Sequence, residues 1–132
     1  MREPIWIDVG DVLAVHDRLL VLDASDAVRD GLLLSSALEA PPQHWAAVPD
    51  ANIVDLATLY TSGIVRERPF MHGNAPTGFV VGVLFLELNG YRFKAAEAEA
   101  AQAVLELASG TLARAGFASF LRQHAKKVWP HS

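Results

Sequence analysis

The chain has 132 residues, of which 52% are hydrophobic and 20% are charged, with a formal net charge of -4 and no cysteine. This length predicts one compact domain over residues 1–132 with a substantial core, and the mildly acidic balance argues against direct binding of nucleic acid, which needs a clustered basic face. The lack of cysteine excludes disulfides and thiolate metal sites, and the longest apolar run is far shorter than the ~20 residues of a membrane span, so we expect a cytoplasmic protein without membrane contact.

The N-terminal third predicts one short strand and two helices. Residues 5–7 have the composition of a strand, and Asp8 can act as the N-cap of a first amphipathic helix that runs to about Leu22. A short second helix is predicted over residues 32–40. The pair Pro41-Pro42 is expected to end it, because neither proline can donate a helical hydrogen bond.

The next segment predicts a loop followed by a third helix. Residues 43–49 form the expected loop, with Trp45 at its centre. Asp50 or Asn52 can cap the helix that follows. In that helix, over residues 53–64, the apolar side chains recur at helical spacing and share one face, which predicts that this face packs on the core.

A loop over residues 65–73 leads into the most apolar segment of the chain, residues 77–89. Its apolar side chains lie on most sides, so periodicity leaves a buried helix and a buried strand both open, while its length and polar start favour the helix. Gly78 and Gly82 are four residues apart, which would let another helix approach closely. Asn89-Gly90 is a good C-terminal stop for a helix.

Two further helices complete the expected fold. Residues 95–108 are rich in alanine and glutamate, which favour helix. Residues 117–128 are amphipathic, and the basic cluster at residues 122–127 would complement the dipole at the end of that helix. The sum predicts an all-α fold, a compact bundle of about six helices around the buried helix that begins near Thr77.

The most informative stretch is the loop that enters this buried helix. Residues 68–77 read Arg-Pro-Phe-Met-His-Gly-Asn-Ala-Pro-Thr. This resembles the signature of the Doc branch of the Fic/Doc family, His-Pro-Phe-x-Asp-Gly-Asn-Lys-Arg-Thr. The likeness continues through the buried helix to the Asn-Gly-Tyr turn at residues 89–91, and with upstream blocks it covers about residues 7–128. It implies the Fic/Doc helical bundle, the Fido domain.

The resemblance also implies a function. Doc proteins are death-on-curing toxins of toxin–antitoxin modules and are held by the C-terminal segment of an antitoxin, an amphipathic stretch laid in a groove. They are linked to transfer of a phosphoryl group from ATP onto a threonine of elongation factor Tu, whereas Fic relatives transfer a nucleotide moiety. In the family loop, the His is the general base, the acidic residue positions Mg²⁺, and the Asn and the Lys-Arg pair contact the ATP phosphates.

Five positions of the family motif are retained, namely Pro69, Phe70, Gly73, Asn74 and Thr77. Phe70 is expected to anchor the loop to the core. Gly73, Asn74 and Thr77 belong to an expected phosphate-binding turn at a helix N-terminus. There Gly73 would supply unusual backbone angles or a close approach to phosphate, and Asn74 could contact phosphate or serve only as the helix N-cap.

Four positions depart from the motif. Arg68 stands at the general-base position, where a protonated guanidinium cannot accept a proton. His72 stands at the cation position, where an imidazole suits zinc or nickel rather than Mg²⁺, so no metal site is predicted. Ala75 and Pro76 belong to the phosphate-binding turn but replace the Lys-Arg pair. Because losing a general base alone costs ~10²–10⁴-fold in rate, we expect this form to be inactive.

Three functions remain open on these grounds. The first is a Doc-like toxin fold with a disabled catalytic loop, and the second is a non-catalytic module that binds an antitoxin or a target. The third is a transferase with altered chemistry, in which His72 is a relocated base and Arg68 clamps phosphate. Trp45 lies where related Fic proteins place the flap that docks the target, and a core-covering role is the alternative for this tryptophan.

Overall fold

The computed structural model describes residues 3–20 and 28–128, and within them the chain forms six helices and one small sheet. The elements are α1 (Val9–Leu20), α2 (Gly31–Ala47), α3 (Ile53–Glu67), α4 (Asn74–Leu88), β1 (Tyr91–Phe93), α5 (Glu97–Ser109), α6 (Arg114–His124) and β2 (Ala125–Lys127). The predicted all-α class and the bundle of about six helices are confirmed. The predicted end of α1 near Leu22 lies outside the described residues. No helix in the described ranges is long and apolar enough to cross a lipid bilayer.

Helix α4 lies at the centre of the bundle, so the helical alternative for the apolar segment is correct. Its buried face includes Val81 and Phe85, which are both fully buried. Helix α3 packs along it at the two glycines, where a Cβ on Gly78 would lie 3.0 Å from the Thr61 carbonyl oxygen. The Thr61 hydroxyl donates a hydrogen bond of 2.8 Å to the Gly78 carbonyl. The glycines therefore allow the close approach that the sequence predicts.

The strand predicted over residues 5–7 is wrong, because these residues pair with no other strand in the part of the chain that the structure describes. Their backbone groups pair with side chains instead of with a neighbouring strand. The Ile5 N–H donates to Asn89 Oδ1 at 2.7 Å, and Asn89 Nδ2 donates to the Ile5 carbonyl at 3.0 Å. The Ile7 N–H donates to the Tyr60 hydroxyl at 3.0 Å. These side chains satisfy the backbone, so no sheet partner is needed.

Two of the predicted helix caps are confirmed. Asp8 Oδ1 accepts from the Asp11 N–H at 2.9 Å, and Asp11 Oδ2 accepts from the Asp8 N–H at 3.0 Å. This reciprocal pair fixes the start of α1 in the manner of a capping box. At α3, Asn52 Oδ1 accepts from the Asp55 N–H at 2.8 Å, which selects Asn52 over Asp50 as the cap.

The prediction that Pro41-Pro42 ends the second helix is wrong, because α2 continues to Ala47. A proline inside a helix costs about 3 kcal/mol or more. Burial offsets this cost, since Leu34 and Leu38 are buried in the core and each contributes about 1.5–3 kcal/mol. Pro41 is itself buried on the same side. The loop predicted over residues 43–49 is therefore mostly helix.

The last helix is shorter than predicted. Helix α6 ends at His124, and the chain then forms β2, which pairs antiparallel with β1. The Val128 N–H extends this pairing by donating to the Gly90 carbonyl at 2.8 Å. The basic residues at 122–127 thus span a helix end and a strand, so their interpretation as a helix end alone is wrong. The last carbonyl groups of a helix have no partner within it, whereas the backbone of residues 125–127 can bond to β1. The chain therefore leaves the helix and forms β2.

Tyr60 makes stability depend on pH at the alkaline end. Its side chain is fully buried, and burial raises its pKa from the ordinary 10.0 to about 12. As the pH rises, the unfolded chain therefore loses the Tyr60 proton before the folded chain does. The contribution of Tyr60 to the free energy of unfolding is fully present below pH 10 and is lost as the pH rises towards 12. This difference in pKa between the unfolded and folded chain corresponds to about 2–3 kcal/mol in the free energy of unfolding.

We expect Tyr60→Phe to flatten this alkaline decline, because phenylalanine has no proton to lose. Urea denaturation between pH 8 and 12 measures it. Tyr91→Phe is the matched control, since Tyr91 is only half-buried. Equal slopes in the original protein and in Tyr60→Phe would contradict the assignment.

Candidate functional site

The candidate site is the loop at residues 68–73 and the first turn of α4. The loop begins at Arg68, which ends α3 in the left-handed conformation with φ 54° and ψ 58°. The side chain of Arg68 is exposed. Its carbonyl accepts from Arg29 Nε at 2.8 Å, and the Glu67 carbonyl accepts from Arg29 Nη2 at 3.0 Å. The Arg29 guanidinium thus satisfies the last carbonyls of α3 and complements the helix dipole there.

The first half of the loop is fixed to α1 and to the segment before α2. Phe70 is 1% exposed and its ring stacks on that of His16, with centroids 4.0 Å apart. The Pro69 carbonyl accepts from the N–H groups of Arg29, at 2.6 Å, and Asp30, at 3.1 Å. Phe70 is therefore the apolar anchor that the sequence predicts.

Asn74 holds the loop closed from the other side. Its Oδ1 accepts from the Phe70 N–H at 3.0 Å, and its Nδ2 donates to the Phe70 carbonyl at 2.9 Å. The alternative in which Asn74 is the N-cap is wrong, because Gly73 occupies that position with φ 76° and ψ 22°. The left-handed backbone at Gly73 is the unusual conformation that the sequence predicts there. Contact of Asn74 with phosphate stays a prediction.

His72 and His16 meet through the loop backbone. The His72 side chain is exposed, while its carbonyl hydrogen-bonds to Nε2 of the fully buried His16 at 2.8 Å. A carbonyl only accepts, so His16 carries its proton on Nε2. His16 Nδ1 and the hydroxyl of Thr77 are both buried with no hydrogen-bond partner among the described residues. The sequence gives no local signal for this bond, because His16 and His72 are 56 residues apart.

Ala75 and Pro76 face an apolar cleft beside the start of α4. The cleft has a volume of about 670 Å³ and lies between the first turns of α4, the end of β1 and one side of α5. The first backbone N–H groups of a helix have no partner within it, and at the start of α4 these belong to Gly73, Asn74 and Ala75, since Pro76 has none. The turn therefore offers fewer donors than an ordinary helix N-terminus and no positive side chain.

Trp45 lies in the last turn of α2 instead of in the predicted loop. It is half-buried and packs edge-on against Trp6, with ring centroids 6.0 Å apart. Its Nε1 is buried with no hydrogen-bond partner among the described residues. This packing is what the core-covering alternative predicts, and a role in docking a target stays a prediction.

The side chains of this loop do not supply the groups that transfer of a phosphate would need. Arg68 is a permanent cation and cannot accept a proton. His72 offers an imidazole where Mg²⁺ would need an oxygen ligand. Within the described residues, no group of three or more His, Cys, Asp or Glu side chains could hold a metal ion. With Asn74 bonded to Phe70 and with Ala75 and Pro76 on an apolar wall, these residues do not fit a magnesium triphosphate.

We expect Asn74→Ala to loosen the loop and to lower stability by about 1–3 kcal/mol, because both backbone groups of the buried Phe70 lose their partner. Urea denaturation measures the loss, and faster hydrogen exchange at the Phe70 amide locates it. Asn52→Ala is a control of the same chemistry at the start of α3, which should leave the exchange of Phe70 unchanged. Unaltered exchange in Asn74→Ala would contradict its role in closing the loop.

Comparison with known proteins adds one finding. The sequence model that describes the Fic/DOC family matches residues 6–86, more than half of the chain. The match runs from the segment before α1 into α4 and includes the whole loop. A search of curated proteins found no match.

Proposed function

This chain belongs to the Fic/DOC family, and we propose that it is a Doc-like protein whose transfer site is disabled and which acts by binding a partner protein. The family fold is that of transferases that use ATP, and its members often pair with antitoxins. The partner here would be the C-terminal segment of an antitoxin or a target such as elongation factor Tu. Phosphoryl or nucleotidyl transfer to a protein hydroxyl is the ancestral activity in this proposal.

The observation that carries the proposal is the chemistry of the loop. The general-base position holds the exposed guanidinium of Arg68, and the phosphate turn holds Ala75 and Pro76 against an apolar cleft. A triphosphate needs cations or backbone donors at this place. One donor is absent at Pro76, and both cationic side chains of the family motif are replaced.

The frame of the loop supports retention of a binding surface. Phe70 is stacked on His16, and Asn74 closes the loop with two hydrogen bonds. These contacts fix the backbone of the loop, and they do not depend on the four replaced motif residues. A rigid loop of this kind loses little conformational entropy when a partner covers it, which favours binding.

A second candidate is a transferase with altered chemistry that uses His72 as base and Arg68 as phosphate clamp. The observation in its favour is that both side chains are exposed and belong to the same short loop. His72 is tied to His16 only through its carbonyl, so its ring is free of that contact.

Two measurements test the proposal. Calorimetric titration of the purified protein with ATP and Mg²⁺ is expected to show no saturable binding. Incubation with elongation factor Tu and ATP labelled at the α- or γ-phosphate is expected to transfer no label. If the original protein does transfer label and His72→Ala does not, the proposal is overturned in favour of the second candidate. Labelling that survives in His72→Ala would overturn both.

A further inference from the structure

The proposed function gives no role to the apolar cleft beside the first turn of α4. It is bounded by three elements, with Ala75, Pro76 and Phe79 from α4, Phe93 and Lys94 at the end of β1, and Ala101 and Leu105 from α5. Its volume of about 670 Å³ falls within the range of pockets that hold small molecules, about 300–1,000 Å³. It is concave and pre-formed by helices.

Aromatic and aliphatic side chains make up the walls. The rings of Phe79 and Phe93 meet edge to face with centroids 5.6 Å apart. Leu105 belongs to the lining and is 59% exposed. An apolar molecule in the cleft would remove this surface from water, at about 25 cal/mol for each Å².

The charges around the cleft select an uncharged ligand. Lys94 and Glu97 are the charged residues of its lining, they have opposite signs, and both are exposed. Their charges cancel, so the lining has no net charge that would offset the charge of an ionised ligand. Ala75 and Pro76 stand at this wall, where the family motif has two cations, so the wall that would meet a triphosphate is neutral here.

The surroundings favour a small molecule over a second copy of the chain. A stable interface between proteins buries at least about 1,000 Å². Of the large hydrophobic side chains that are exposed in the described residues, only Leu105 lines the cleft. The other exposed ones, such as Ile5, Leu32 and Met71, are not part of its lining. The apolar surface is thus concentrated inside a concavity and does not extend as a patch.

We propose that the apolar cleft binds an uncharged aromatic or aliphatic small molecule in place of the family's nucleotide. This inference rests on the proposed function, because a working triphosphate site at Ala75 and Pro76 would compete for the same wall. The ligand would lie between Phe79 and Phe93 on one side and α5 on the other. Its contact with Pro76 would couple the cleft to the first turn of α4.

The test uses N-phenyl-1-naphthylamine, a neutral dye whose fluorescence rises in apolar surroundings. The full chain is expected to bind it saturably, and ATP with Mg²⁺ is expected not to displace it. Ala101→Phe, which fills the cleft, should weaken binding about tenfold or more, since it removes most of the contact area. Ala108→Phe is the matched control, because Ala108 is an exposed alanine two turns further along α5 and is not part of the lining. It should change binding by no more than about twofold.

Leu105→Gln gives a second variant with a milder change, and a several-fold weaker affinity is expected. Circular dichroism establishes that each variant is folded. Non-saturable binding, or equal affinities for Ala101→Phe and Ala108→Phe, would overturn the inference and leave the proposed function intact. A dimer that Ala101→Phe dissociates would overturn it in favour of a second copy. Displacement of the dye by ATP would contradict the proposed function as well.

Discussion

Rebuilding the loop with Arg68→His, His72→Asp, Ala75→Lys and Pro76→Arg is expected to create ATP-dependent transfer to a protein hydroxyl where the original chain has none. The gain should be at least about 10²-fold over background, because a general base alone contributes about 10²–10⁴-fold. Pro76→Arg also restores a backbone N–H in the first turn of α4. None of the four changes touches Phe70 or its bonds to Asn74, so the loop is expected to keep its backbone conformation.

The measurements are growth after induction in a bacterial host and transfer of label from ATP to protein in vitro. The matched control carries the last three changes but keeps Arg68, so it has the cation ligand and the phosphate contacts without a proton acceptor. We expect growth arrest and labelling with four changes and neither with three. An inactive four-change protein that melts like the original would show that more than these positions separates the chain from an active relative.

Gly82→Ala is expected to destabilise the protein by about 2–4 kcal/mol, although it adds one methyl group. The new Cβ would overlap the Thr61 hydroxyl and would lie 3.2 Å from the Ala57 carbonyl oxygen. Overpacking of a core costs about 1–3 kcal/mol. If Thr61 turns away, its hydrogen bond to the Gly78 carbonyl is lost, and the buried Thr61 hydroxyl without a partner costs a further ~1–3 kcal/mol.

Urea denaturation measures this loss, and Gly31→Ala is the control. A Cβ at Gly31 meets nothing within 4 Å, so that substitution should leave stability unchanged or slightly higher. The double substitution Thr61→Ala with Gly82→Ala should cost less than the sum of the two single ones, because it removes the overlapping hydroxyl. Additive losses, or a harmless Gly82→Ala, would contradict the contact between α3 and α4.

The sequence predicts the fold best where a local signal and the tertiary structure agree. Asn52 caps α3 because a short polar side chain at a helix start is a local signal. The length and polar start of the segment that became α4 likewise favour a helix. Local signals fail where distant groups decide. Pro41 stays inside α2 because burial against the core outweighs the local preference of proline, and Ile7 needs no strand partner because Tyr60 bonds it from α3.

The candidate site follows the same pattern. The motif positions Arg68 and His72 could be identified from the sequence, since they are read along one stretch of the chain. The bonds that hold the loop could not, because His16 is 56 residues from His72 and reaches it only through the packing of α1. The apolar cleft could not be predicted either, since its walls come from α4, β1 and α5.

The pairing of β1 with β2 brings the start of α5 and the end of α6 to the same place. The Lys94 N–H also donates to the His124 carbonyl at 3.0 Å. Helices α5 and α6 therefore form a helical hairpin whose two ends are bonded to each other. The far turn of this hairpin, near Gly110, is held separately, because Arg66 Nη2 of α3 donates to the Leu112 carbonyl at 3.4 Å. The position of α5, which forms one wall of the cleft, is therefore fixed at both of its ends, at the β1–β2 junction and at the turn that bonds to α3.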